Sequence, residues 1–98
     1  MARSIVHTRA AHDDLAGIWG YTFETWGERQ AHQYLDLIEA EIHRIAEDPD
    51  RGRLCRQISD RYRSTTVGRH VVYFSFDAER IMIVRVLHVA MDPDHWLG

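Results

Sequence analysis

Apolar positions in the first half of the chain recur every three or four residues. Ala11, Leu15, Ile18, Trp19, Phe23 and Trp26 form one stripe, and Ala31, Tyr34, Leu35, Ile38, Ile42 and Ile45 form another. That spacing is the period of an amphipathic helix, so two helices are predicted with Gly27 as the break between them. Thr8 stands where an N-cap is wanted, and Asp13 and Asp14 follow in the early turns, where the helix dipole favours anions. The second helix is predicted over about Glu28 to Glu47, with Glu39 and Glu41 directed away from its apolar face. With almost no loop between them, the helices are expected to pack as an antiparallel hairpin. Pro49 and Gly52 in DPDRGR end the helical half.

Ahead of the helices, Ser4 to His7 reads as a short strand. From Leu54 onward the pattern turns strand-like, with Arg61–Val67, His70–Phe76 and Ile81–Val89 separated by Gly68 and by Asp77 to Arg80. Such short connections predict an antiparallel meander. The expected fold class is therefore α+β: a short N-terminal strand, an antiparallel helix hairpin, then a three-stranded antiparallel meander. If Asp77 opposes Ile81, Tyr73 faces Arg85 and His70 faces His88. Phe74 and Phe76 then lie under the helices with Met82 and Val84, and Arg69, Tyr73 and Arg85 share the more polar face. The helix stripe holding Trp19, Phe23 and Trp26 is expected to be core.

At 98 residues the chain reads as one domain spanning 1–98. Its apolar runs are too short to cross a bilayer and its N-terminus lacks a signal-peptide core, so a cytoplasmic protein with no membrane partner is expected. Cys55 is the only cysteine. The seven histidines show no metal-ligand spacing, so neither metal nor cofactor is expected. The net charge of −3 conceals an asymmetry, because residues 1–50 carry −6 and residues 51–98 carry +3. Between Arg51 and Arg69 there are six arginines and one acid, and the chain has no lysine. Guanidinium groups suit bidentate carboxylate contacts, and with an acidic total the patch fits an acidic protein partner at least as well as nucleic acid, so no direct sequence-specific nucleic-acid binding is expected.

Several phrases, taken together and in order, carry a family resemblance. Asp14, Leu15, Ile18 and Tyr21 supply a DL-x-x-I-x-x-Y run, and Trp26, Gly27, Gln30 and Ala31 supply WG-x-x-QA. Pro49, Gly52 and Arg53 make a P-x-x-G-R turn, and Arg85 to His88 close with RVLH. Over nearly its whole length the chain resembles the ParE branch of the RelE/ParE toxin superfamily. The resemblance implies a type II toxin that poisons DNA gyrase and is neutralised by a ParD-like antitoxin in a hetero-oligomer. Two alternatives belong to other classes: a ribosome-dependent mRNA endoribonuclease of the RelE type, and a non-toxic member retained as an antitoxin-binding partner.

Candidate residues follow from these readings. Arg61, Arg63, Arg69, Tyr73 and Arg85 are the candidates for antitoxin binding, and Trp96 is the candidate for target contact because a terminal aromatic can anchor an interface. Under the nuclease alternative Arg63, Arg69, Tyr73, Arg85 and His88 would supply the base, the acid and the cations that RNA cleavage needs. Three features weigh against that alternative. The chain is acidic overall, Arg85 and His88 fall on opposite faces of one strand, and a histidine at a core edge more often bonds to backbone.

Overall fold

The computed structural model describes residues 2–97. Strand β1 (Ser4–His7) leads through Thr8 into helix α1 (Arg9–Trp26), and helix α2 (Glu28–Glu47) returns along it. A 3-10 turn over Pro49–Arg51 precedes β2 (Arg53–Leu54), β3 (Arg63–Val67), β4 (His70–Phe76), β5 (Arg80–His88) and a terminal helix α3 (Pro93–Leu97). Gly27 separates the helices at φ +93°, a left-handed conformation that stops α1 without strain. The α+β class, the helix hairpin and the antiparallel strands agree with the sequence reading, and the sheet grows to five strands in the order β1-β5-β4-β3-β2. Its extra members are β1, parallel to β5, and the short β2 on β3.

One expectation about register holds only at one end. Tyr73 faces Arg85 and His70 faces His88, but a bulge at Val84 shifts the remainder so that Phe74 pairs with Ile83 and Phe76 with Ile81. Met82 and Val84 therefore do not lie under the helices as expected. Ile81 and Ile83, both fully buried, take that place beside Phe74. The extra residue reconciles two demands that no unbroken register meets: Ile81, Ile83 and Val86 all face the core, while Arg85 faces away. Burying each of these apolar side chains is worth roughly 1.5–3 kcal/mol, enough to fix a single bulge position.

Two further corrections concern the helices. Phe23 is 46% exposed and Trp26 69% exposed, so this end of the predicted stripe is surface; Ala11, Ile18 and Thr22 form the buried line of α1. At the hairpin tip the Phe23 ring keeps a tilted contact with Trp19 at 6.2 Å, and the rings of Phe23 and Trp26 remain open to solvent. Glu41, expected to point outward, is 6% exposed and is held by Arg44 at 3.0 Å and Arg51 at 3.1 Å. A buried carboxylate needs such partners, and here they tie α2 to the 3-10 turn.

Candidate functional site

The open edge of β5 is where sequence and packing meet. β1 stops pairing at Ile83, so the outward backbone groups of β5 beyond that point need other partners. The start of α1 supplies them. Thr8 Oγ1 donates to the Val84 carbonyl at 2.7 Å and accepts from the Ala11 N–H at 3.0 Å, serving the bulge and capping the helix at once. Asp14 accepts from the Val86 N–H at 3.0 Å and from Arg85 through Nε at 2.8 Å and Nη2 at 2.7 Å. This fork-to-fork pair is largely buried. On its far side the Arg85 guanidinium lies 5.3 Å from the ring centre of Trp96, a cation–π stack that fastens α3 to the sheet.

The remaining candidates are spread over the molecule. Arg63 lies on the helix-facing side, opposite Phe74, with Nη1 donating to the Gly52 carbonyl at 2.9 Å and Nη2 3.6 Å from Asp50. Arg69 is exposed in the β3–β4 turn, at the other end of β3, about 13 Å or more along the strand from Arg63. Arg61 is exposed in the loop before β3. Tyr73 is buried on the outer face in a small second core with Cys55 and Leu87, and burial, with Cys55 nearby, raises its pKa. The expected grouping of Arg61, Arg63, Arg69, Tyr73 and Arg85 on one surface is thus not what the fold builds. Trp96 remains 44% exposed beside its contact with Arg85.

His88 sits on the face opposite Arg85, its ring edge-on to His70 at 5.3 Å, and its Nδ1 accepts from the Ala90 N–H at 3.1 Å. The nuclease set is therefore divided between both sheet faces and both strand ends. The sequence carries no signal for Tyr34 as a site residue, and for His70 only the register that sets it opposite His88. The Tyr34 hydroxyl lies 2.5 Å from His70 Nδ1, accepts from the Arg69 N–H at 3.1 Å, and lies 3.3 Å from the Val67 carbonyl. It clamps the β3–β4 turn, where Gly68 has φ +57° and a Cβ would come within 2.8 Å of the tyrosine ring.

Burial and the neighbouring His88 lower the pKa of His70, and Asp14 opposes them. Burial and His12 likewise lower the pKa of His7, against Glu39. A histidine whose folded pKa lies below its ordinary 6.5 binds fewer protons folded than unfolded. Its stabilising contribution is complete above that value and is lost as pH falls through the folded pKa. The melting temperature is expected to hold above about pH 7 and to drop as the pH falls below about 6.5, with a shallower drop in His70→Gln. Identical pH profiles for the two proteins would count against His70 as a source.

Beside β1, Ile5, Leu15, Leu35, Ile38 and Ile42 floor an apolar groove of about 340 Å³, with His7, Glu39 and His43 at its rim. No helix among the described residues is long and apolar enough to cross a membrane.

Comparison with known proteins agrees with this geometry. The family described as "ParE toxin of type II toxin-antitoxin system, parDE" matches residues 5–93. The chain is 41% identical over 86 residues to Toxin ParE1 of Mycobacterium tuberculosis, covering 87% of this chain and 88% of that one. It is 37% identical over 91 residues to Toxin ParE1 of Caulobacter vibrioides, covering 93% and 94%. The fold is similar to a chain of the chromosomal ParDE system of P. aeruginosa, with a TM-score of 0.76, 19% identity, and 89% and 96% of the two chains covered. It is also similar to a chain of the RelBE2 toxin–antitoxin complex of M. tuberculosis, at 0.66, 18%, 90% and 99%. With the family match spanning almost the whole described fold and two relatives well above 30% identity, this chain belongs to the ParE toxin family of type II toxin–antitoxin systems.

Proposed function

We propose that this toxin arrests growth in the cytoplasm by binding and poisoning DNA gyrase, and that a ParD-like antitoxin neutralises it. The observation that carries the choice of a binding mechanism over a nuclease is the fate of Arg85. A phosphorane-stabilising cation must be free to meet the substrate, whereas this guanidinium is held by both oxygens of Asp14 and covered by Trp96. Arg63 is likewise committed to Gly52 and Asp50 on the opposite face, away from Tyr73. Catalysis by this set would require its members to converge on one phosphate.

The apolar groove beside β1 suits anchors from an amphipathic antitoxin helix, and Arg61 and Arg69 are exposed for its carboxylates. Trp96 keeps an accessible ring for target contact. Gyrase and plasmid DNA incubated with the purified chain, then treated with denaturant and protease, should yield trapped linear DNA. A ribosome-programmed message in a parallel reaction should stay intact. Cleaved message with normal gyrase would overturn this reading in favour of the nuclease, and unimpaired growth on inducing the chain alone would mark a non-toxic member.

A further inference from the structure

β3 is paired along its full length by β4, but on its other side β2 reaches only Arg63 and Ser64. The ladder's parity settles which backbone groups are left over. The Cys55 N–H donates to the Tyr62 carbonyl at 3.0 Å, which makes 55 and 62 a hydrogen-bonded pair and 53 and 64 the next. Ser64 therefore directs its backbone groups to β2, while Arg63, Thr65 and Val67 direct theirs to β4. Thr66, in step with Ser64, turns both its N–H and its C=O to the open side.

That side is a groove of about 810 Å³ lined by Ser64, Thr65 and Thr66 together. Its lining also takes in Glu41 and Arg51 on the helix side and Val71 and Tyr73 on the outer face, so the groove wraps round the edge of β3. Arg51 and Arg53 line the same groove. Arg56 and Arg61, in the adjoining loop, are exposed and make no salt bridge among the described residues.

From this we infer that the β3 edge accepts an extended, carboxylate-bearing segment of the antitoxin as an added strand, bonded to both backbone groups of Thr66 and flanked by Arg53 and Arg56. The inference rests on the proposed antitoxin partnership and is independent of the gyrase target. An exposed strand edge is a template for pairing, and natural edges are usually blunted by charge, proline or a covering segment; Thr65, Thr66 and Val67 provide none of these. The arginine rim selects carboxylates over a neutral strand.

The test uses the toxin, a ParD-like antitoxin as its proposed partner, and titration calorimetry. Thr66→Pro removes one outward N–H and no internal ladder bond, so the fold should stand while affinity falls about tenfold or more. Thr66→Val, which keeps the N–H, should bind within about threefold of the parent. Arg53→Gln with Arg56→Gln should weaken binding and flatten its salt dependence. Hydrogen exchange on the unmutated complex provides a reading that needs no variant: the Thr66 amide, open in the free toxin, should become protected. Tight binding with a freely exchanging Thr66 amide would overturn the added strand and leave the toxin assignment intact. Absence of any complex would overturn the added strand together with the antitoxin partnership it rests on, and would leave the family membership standing.

Discussion

Replacing Asp14 with Ala is expected to destabilise the protein by about 3 kcal/mol, because it strands a buried cation and a backbone donor together. Arg85 would keep its place under Trp96 with no carboxylate, and the Val86 N–H at the unpaired edge of β5 would lose its acceptor. For a domain of this size that corresponds to a fall in Tm of more than about 10 °C. Asp14→Asn retains an acceptor for Val86 and should lose less. A double change to Asp14→Leu and Arg85→Leu should recover much of the loss, since a buried ion pair owes its weight to the cost of breaking it rather than to its net attraction. Thermal melts of the four proteins would decide the matter. A cost under about 0.5 kcal/mol for Asp14→Ala would place the pair among solvent-screened surface bridges.

Gly52→Val is the second change expected to have a large effect, and its cause is steric. Gly52 has an ordinary extended backbone at φ −75° and ψ 147°, which any residue could adopt. A Cβ there, however, would collide with Phe74 Cζ, lie 2.8 Å from Cε1 and lie 3.0 Å from Arg63 Cβ. The Phe74 ring is fully buried, so it makes room only by displacing the core side chains packed around it. Overpacking of this kind costs about 3 kcal/mol, and the disturbance would reach Arg63, whose guanidinium bonds the Gly52 carbonyl. The urea midpoint should shift down with an unchanged slope. Wild-type stability in Gly52→Val would mean that the turn moves away from the sheet easily. The glycine of the P-x-x-G-R turn is thus explained by close approach to the core rather than by backbone freedom.

Much of the architecture was legible because it is written in local periods. Thr8 caps α1, Gly27 ends it, α2 spans Glu28–Glu47, and β1 and β4 have the predicted bounds. Each follows from spacing, a capping hydroxyl or a turn residue, all of which act within a few positions. The exposed aromatics at the hairpin tip show where such reasoning stops. Trp26 fits the helical stripe as well as Ile18 does, yet the sheet reaches only one of them. A stripe says which face is apolar and not how far its cover extends.

The candidate site was less legible, for the same reason. A one-residue bulge at Val84 inverts the parity of half a strand, and nothing in the local pattern of IMIVRV marks it. It arises because the core admits Ile81 and Ile83 as well as Val86, and because Thr8 and Asp14 stand ready to satisfy the backbone it frees. By itself, then, the sequence determined the order of the two long helices and the four longer strands, the helix limits, the pairing of Tyr73 with Arg85 and membership of the toxin family, but not β2 or α3. The tertiary structure alone decided that Arg85 belongs to Asp14, that Arg63 faces the helices, and that β3 keeps an open edge. Charge pairing and burial are settled between segments distant in the chain, where propensity has no reach and packing has the final word.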